Sequence, residues 1–278
     1  MSIGILLAVL GAAFLHAAWN AAIKVGSSRM GAMVLLSVGE MTIGLAVAAF
    51  LPLPPAVVWP WIAASSCAHF MYKFFLAYAY ERGDLSRVYP IARGAAPMIV
   101  AIVGAALLPD VLAAQEYLGI FILGLGILAM AQGVFTEGEN RKLLPFAIGS
   151  AIATACYTMI DGSGARISGN AISYIAWVFV VEGALFLVGI VAWRGAAIIP
   201  RGRRDWAAGM CAAVASYGAY AISVWAMTKA PIAVVAALRE TSILFAVLIG
   251  WAVFGERISR GKILAAALIV SGVIATRL

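Results

Sequence analysis

Long apolar stretches alternate with short polar segments along the whole 278-residue chain. About 20 consecutive apolar residues allow a helix to cross the hydrocarbon core of a bilayer. Charges, glycines and prolines separate ten such stretches, which we predict to be membrane-spanning helices. The predicted ranges are 2–23, 32–51, 59–80, 87–107, 115–133, 143–161, 171–192, 206–227, 231–254 and 262–276. The pattern therefore predicts an all-α, polytopic membrane protein of about ten transmembrane helices.

Composition supports this class of protein. Hydrophobic residues make up 64% of the chain and charged residues 11%, whereas soluble domains carry about 25% charged residues. The net charge of +7 therefore concerns orientation in the membrane rather than nucleic-acid binding. No polar segment is long enough to form a separate soluble domain.

Basic residues are divided unequally between the two sides of the predicted bundle. Loops after odd-numbered helices hold thirteen lysines and arginines, whereas the other side holds three: Arg166, Lys229 and Arg277. Basic loops stay in the cytoplasm. We therefore predict a multi-pass membrane protein with both termini on the extracytoplasmic side.

The fourth predicted helix resembles the ninth. Arg87–Asp110 aligns with Val234–Glu256 at an offset of 239 − 93 = 146. The matched pairs are Arg93 with Arg239, Gly104 with Gly250, and Asp110 with Glu256. We predict two five-helix repeats, residues 1–137 and 138–278. Because five is odd, the second repeat is inverted, as in secondary transporters with a central binding site. Chance similarity of two Ala/Val-rich helices is the alternative.

Prolines mark the same two helices. Pro90 and Pro97 lie within the fourth helix, and Pro231 lies at the start of the ninth. Proline removes a backbone hydrogen bond and favours a bend. We predict that these three prolines allow a gating movement.

Six charged side chains fall inside the predicted helices. Such groups are costly in a bilayer unless they are paired or face water. We predict that Lys73 neutralises Glu40 and that Arg239 meets Glu182 or Glu240. The alternatives for these residues are pairing that only fixes helix register, or lining a pathway for a zwitterion. The six are Lys73, Arg93, Arg239, Glu40, Glu182 and Glu240.

Other polar and aromatic residues lie beside these charges at helical spacing. A polar face cannot point into lipid, so we expect it to line a central cavity. Aromatic rings with a few polar groups suit a planar amphipathic ligand, although each phenol is also compatible with a bond to a neighbouring helix. The candidates, besides Lys73, Arg93 and Arg239, are His16, Trp19, Asn20, His69, Tyr72, Tyr78, Tyr89, Tyr157, Tyr217 and Tyr220.

Several of these residues belong to short motifs. They are His16-Ala17-Ala18-Trp19-Asn20, Tyr89-Pro90-Ile91-Ala92-Arg93, Pro97, and the run from Gly250 to Gly255-Glu256. With the five-plus-five layout, they resemble the EamA-type branch of the drug/metabolite transporter superfamily. The chain is most similar to bacterial aromatic amino-acid exporters in its length and deep aromatic residues. The Arg239-Glu240 pair departs from the small or apolar residues usual there.

The resemblance implies an exporter of small metabolites, with amino acids or drugs as substrates. We predict a secondary transporter that needs no cofactor or metal, binds no nucleic acid and works as a monomer in the bilayer. A channel is a weaker alternative. A membrane-embedded enzyme is another, but the sequence has no metalloprotease motif and no thiol–histidine nucleophile pair.

Overall fold

The computed structural model describes residues 1–24, 28–80, 85–130, 143–255 and 258–276. Two 3₁₀ turns, Ala56–Val58 and Ala196–Ile198, accompany the α-helices. In chain order the α-helices are α1 (Ile3–Lys24), α2 (Arg29–Ala48), α3 (Trp59–Tyr80), α4 (Leu85–Leu107), α5 (Ala114–Met130), α6 (Leu144–Ser168), α7 (Ala171–Arg194), α8 (Arg203–Met227), α9 (Ile232–Arg239), α10 (Ser242–Phe254) and α11 (Arg260–Ala275).

The all-helical, multi-pass architecture is confirmed. Six segments of the described chain are long and apolar enough to cross a membrane, and α4 and α5 contribute shorter apolar stretches. Large apolar side chains point outwards, including Leu7, Val188 and Val214, whereas charged side chains lie inside. Such a surface suits lipid rather than water, and the buried charges agree with the cost of exposing them to hydrocarbon.

One prediction is wrong at the end of the sixth span. The predicted range ended at residue 161, but α6 continues to Ser168. The polar residues Asp161, Ser163 and Arg166 belong to this helix, and Asp161 is fully buried. Arg166 donates hydrogen bonds to Asp110 and to the carbonyls of Met227 and Ala230. Polar side chains continue a helix when neighbouring helices supply their partners.

The ninth predicted span is also not one continuous helix. Glu240 and Thr241 separate α9 from α10. Both residues keep right-handed helical dihedrals, but their amides donate to carbonyls three residues earlier, Glu240 to Ala237 and Thr241 to Leu238. A tight 3₁₀ turn therefore interrupts the span next to two charged side chains. Turns of this kind within a helix often mark functional sites.

The prolines that were predicted to allow bending do not lie at this interruption. α4 runs from Leu85 to Leu107 through Pro90 and Pro97. Pro231 lies immediately before the first residue of α9, as its position at a helix start favours. The break in regular helix thus falls at Glu240–Thr241, where no proline occurs.

Helices of one half pack mainly against helices of the other half. α1 packs on α8, α2 on α7, α3 on α6, and α5 on α11, while α4 contacts α6 and α9. Counting α9 and α10 as one span, exchange of each span with the span five positions away turns the α1–α8 pair into α3–α6 and leaves the pairs α2–α7, α4–α9 and α5–α11 unchanged. The interior of the bundle is consequently built from both halves.

Glycines bring α5 and α11 into backbone contact. A methyl group on Gly272 would lie 2.6 Å from the backbone nitrogen of Leu123 and 2.7 Å from the carbonyl oxygen of Gly119. Both neighbours are main-chain atoms and cannot rotate away. Glycine therefore allows the two helices to pack closely here.

Replacement of Gly272 by alanine is expected to lower stability, since overpacking costs about 1–3 kcal/mol. Gly11→Ala is the matched control, because nothing lies within 4 Å of the added methyl group. We expect thermal unfolding in detergent at a lower temperature for Gly272→Ala and no loss for Gly11→Ala. Equal melting temperatures for the two variants would contradict this packing.

Candidate functional site

A small cavity lies inside the bundle between helices of both halves. Its volume is about 30 Å³, room for about two water molecules. Cationic, acidic and aromatic side chains share its wall. The lining residues are His16, Trp19, Leu36, Glu40, His69, Tyr72, Lys73, Tyr157, Phe179, Ser216, Tyr220 and Arg239.

Lys73 joins three helices by binding two carboxylates. Its ammonium nitrogen lies 2.7 Å from Oε2 of Glu40 on α2 and 2.9 Å from Oε2 of Glu182 on α7. It also donates to the Ser37 hydroxyl at 2.7 Å. The Ser216 hydroxyl donates to Oε1 of Glu40 at 2.6 Å, whereas Oε1 of Glu182 has no partner. The predicted pairing of Lys73 with Glu40 is confirmed, and Glu182 shares the same cation.

Arg93 and Glu240 form a second buried ion pair, between α4 and the turn after α9. Nε of Arg93 donates to Oε2 of Glu240 at 2.7 Å, and Nη2 donates to Oε1 at 2.6 Å. This fork geometry is the strongest common form of an arginine–carboxylate contact. The pair fixes the interrupted span against α4.

The predicted pairing of Arg239 with Glu182 or Glu240 is therefore wrong. Both carboxylates are taken by other cations. Neighbouring residues in a helix point about 100° apart, so Glu240 faces α4 while Arg239 faces the cavity. The guanidinium carbon lies 5.1 Å from the centre of the Tyr220 ring, a cation–π distance. Nη1 of Arg239 is buried without a hydrogen-bond partner.

Asp161 is a buried acid that the sequence reading missed. It accepts hydrogen bonds from His69 Nε2 at 3.0 Å and from the Tyr174 hydroxyl at 2.9 Å. A third bond comes from the Tyr220 hydroxyl. These three side chains satisfy both oxygens of the carboxylate. One signal was available, because Asp161 follows the candidate Tyr157 by four residues and so lies on the same helical face.

Aromatic rings surround His69 at the cavity wall. The Tyr157 ring stacks on the imidazole with centres 4.1 Å apart, and the Tyr220 ring meets it edge-on at 5.1 Å. Tyr72 contacts Tyr157 at 5.5 Å, and Phe179 contacts Tyr220 at 5.7 Å. These rings form one connected aromatic wall.

His16 and Trp19 form a local pair on α1. The Trp19 indole N–H donates to Nδ1 of His16 at 3.0 Å. The Asn20 side-chain amide donates to the His16 carbonyl at 2.8 Å. Asn20 thus stabilises α1 and is not among the residues that line the cavity.

Several other predicted site residues also lie away from the cavity wall. Tyr78 accepts a hydrogen bond from Arg194 and stacks with Phe146. Tyr217 packs against Phe179 with ring centres 5.2 Å apart. The side chains of Tyr89 and Pro90 lie outside the described residues. Helical spacing predicted in part which side of each helix faces the interior. It does not determine which residues on that side lie at the depth of the cavity.

A second polar cluster closes one end of the bundle. Nη1 of Arg166 on α6 donates to Asp110 after α4 at 2.7 Å. Nε and Nη2 of Arg166 donate to the carbonyls of Met227 and Ala230. Asp110 also accepts the Ile232 amide at 2.8 Å, at the start of α9. The cluster joins α4, α6, α8 and α9 at the end opposite the basic loops.

Comparison with known proteins finds a family match in the second half of the chain. Residues 141–278 match the EamA-like transporter family. A solved crystal structure of a protein superposes with a TM-score of 0.77 at 15% identity, covering 99% of this chain and 98% of that chain. At this identity the likeness shows a common fold. No curated protein matches the chain.

The EamA-like family is a family of membrane transporters of the drug/metabolite type. The match covers the half that contributes Asp161, Glu182, Arg239 and Glu240. These residues meet Glu40, His69, Lys73 and Arg93 from the first half. The cavity therefore depends on both halves of the chain.

Removing either member of the Arg93–Glu240 pair is expected to destabilise the protein. A buried charge that loses its partner costs about 3–5 kcal/mol, whereas replacing both members by apolar residues is often neutral. We expect Arg93→Met and Glu240→Leu each to lower the melting temperature in detergent, and the double variant to recover much of the loss. Arg201→Gln, at an exposed position, serves as control. Additive losses in the double variant would contradict a direct pair.

Proposed function

We propose that the protein is a secondary transporter that exports a small carboxylate-bearing metabolite by alternating access. The substrate class we favour is amino acids with an aromatic or bulky apolar side chain. The central cavity is the proposed binding site. Export as the direction rests on the resemblance to bacterial members of the drug/metabolite superfamily.

The observation that carries this proposal is the state of Arg239. Of the three buried non-histidine cations in the described chain, Lys73 and Arg93 bind carboxylates directly, whereas Arg239 binds none. Arg239 faces the cavity with a buried nitrogen that has no acceptor. A buried unsatisfied guanidinium is costly. A substrate carboxylate would supply the missing acceptor with fork geometry.

The remaining wall suits the other parts of an amino acid. Glu40 lines the cavity and offers an acidic side chain to an ammonium group. Tyr72, Tyr157 and Tyr220 supply rings against which an apolar or aromatic side chain can pack. Carboxylate, ammonium and side chain thus each find a complementary surface.

The cavity is too small for such a substrate in this conformation. Its volume of about 30 Å³ holds about two waters, so the helices must separate to admit an amino acid. The exchange-symmetric helix packing supports two alternative arrangements of similar energy, as alternating access requires. The interrupted span and its Arg93–Glu240 contact are the proposed place of movement.

Amphipathic cations are the second candidate substrate class. Glu40 lies in the same aromatic-walled cavity, and an aromatic cage with an acid favours a cationic ligand. For this class Arg239 would oppose binding by repulsion. The effect of removing Arg239 therefore separates the two classes, because it weakens carboxylate binding and strengthens cation binding.

The proposed orientation in a bacterial inner membrane has both chain termini outside the cytoplasm. It follows from the bias of basic residues among the loops. A C-terminal alkaline phosphatase fusion is expected to be active and a green fluorescent fusion dark. The opposite pattern would reverse the orientation.

Arg239→Gln is expected to impair transport without destabilising the fold. Loss of a charged hydrogen bond costs about 1.5–3 kcal/mol, so the half-saturation concentration for phenylalanine should rise roughly 10- to 100-fold. The assay is counterflow of labelled phenylalanine into proteoliposomes preloaded with unlabelled phenylalanine. The melting temperature should be unchanged or higher, because no protein carboxylate loses its partner.

Arg201→Gln is the matched control for this flux assay, since Arg201 is exposed and away from the cavity. Its counterflow should equal that of the unmodified protein. Unchanged half-saturation in Arg239→Gln would refute the carboxylate assignment. Absence of saturable counterflow for any amino acid in the unmodified protein would refute the substrate class.

A further inference from the structure

Buried acids outnumber buried bases in the described interior. The carboxylates are those of Glu40, Asp161, Glu182 and Glu240, and the non-histidine cations are those of Lys73, Arg93 and Arg239. With neutral histidines the interior lacks one positive charge. An uncompensated charge at this depth is costly, so a further positive charge is required there.

The missing charge is needed where Glu40 and Glu182 share Lys73. Glu40 has a donor on each oxygen, from Lys73 and Ser216. Glu182 has Lys73 on Oε2 only, and its Oε1 is buried without any donor. Glu182 is fully buried. The carboxylate that is least satisfied is the one that gains most from losing its charge.

Asp161 and His69 are the rival place for a proton. Asp161 accepts three hydrogen bonds, from His69, Tyr174 and Tyr220. These three donors satisfy both oxygens of the Asp161 carboxylate. Asp161 therefore has more hydrogen-bond donors than Glu182 and gains less from binding a proton.

A metal ion or a substrate ammonium does not fit at Glu182. The Lys73 ammonium already occupies the space between the two carboxylates, 2.7 Å from one and 2.9 Å from the other. No group of three metal-ligating side chains occurs in the described residues. Glu182 is also not among the residues that line the cavity, whereas Glu40 and Lys73 are. A proton is small enough to reach Glu182 past them.

We propose that the Glu40–Glu182 pair carries one exchangeable proton and couples substrate export to proton entry. This inference rests on the proposed transport function and names its coupling ion. When no substrate is bound, the proton is on Glu182. When a substrate ammonium approaches Glu40, the pair gains a second cation and the proton leaves through the cavity to water. Release of the substrate on the other side allows a proton from that side to bind.

The charged and titratable groups around the pair come from several helices. Lys73 and His69 face it from α3, with Asp161 on α6 behind His69. Within the cavity His16 on α1, Tyr220 on α8 and Arg239 at the end of α9 complete the set. Lys73 and Arg239 oppose proton binding, and Asp161 favours it. The unpartnered oxygen places the proton on Glu182 within this field.

The test separates coupling from transport. Proteoliposomes with an acidic lumen should accumulate labelled phenylalanine as protons leave. Glu182→Gln should lose this accumulation yet keep counterflow, since exchange of substrate for substrate needs no net proton movement. Glu116→Gln, near the start of α5 and outside the cavity, should keep both activities. Accumulation retained in Glu182→Gln would overturn the proposal.

Other outcomes are equally decisive. Counterflow without any response to the pH gradient in the unmodified protein would refute proton coupling while leaving transport intact. Loss of the gradient response in His69→Gln but not in Glu182→Gln would place the proton at His69. Lack of counterflow in the unmodified protein would refute transport of phenylalanine itself.

A spectroscopic measurement tests the proton without any substrate. A protonated carboxylic acid has a carbonyl stretch in the infrared that a carboxylate lacks. We expect this band in the ligand-free protein at neutral pH and its loss in Glu182→Gln, with no loss in Glu116→Gln. Absence of a band sensitive to Glu182→Gln would overturn the proposal.

Discussion

A charge buried inside a membrane protein needs a counter-charge or a set of donors, and this requirement organises the centre of the bundle. Lys73 brings together α2, α3 and α7 through two glutamates. Arg93 attaches the interrupted ninth span to α4 through Glu240. Both contacts join the first half of the chain to the second. Helix packing and electrostatic satisfaction thus depend on the same few side chains.

Arg239 and Glu182 are the two charged side chains on which the proposed function of the site depends. Arg239 has a guanidinium nitrogen without an acceptor, and Glu182 has an oxygen without a donor. Natural proteins retain such costs where a ligand or a reaction removes them. A substrate carboxylate would supply the acceptor for Arg239, and a proton would neutralise Glu182. The cavity beside Arg239 is small, so substrate binding requires the helices around it to separate.

Sequence periodicity predicted the helices well because each one is apolar over a membrane's thickness. It failed at the end of the sixth span, which continues to Ser168, and at Glu240–Thr241, where a 3₁₀ turn occurs without a glycine or proline. The partners of charges were only partly predictable. Lys73 and Glu40 were paired correctly, but Glu240 binds Arg93, 147 residues away, rather than Arg239. Such choices depend on rotation and depth of whole helices, which residue spacing does not determine.

The central claim is that Arg239 receives a substrate carboxylate, and competition by substrate fragments tests it most directly. The competitors for labelled phenylalanine on the purified protein are 3-phenylpropanoate, which lacks the ammonium, and phenethylamine, which lacks the carboxylate. We predict that Arg239→Gln weakens displacement by 3-phenylpropanoate roughly 10- to 100-fold and leaves displacement by phenethylamine unchanged or stronger. Undiminished displacement by 3-phenylpropanoate in this variant would contradict the account.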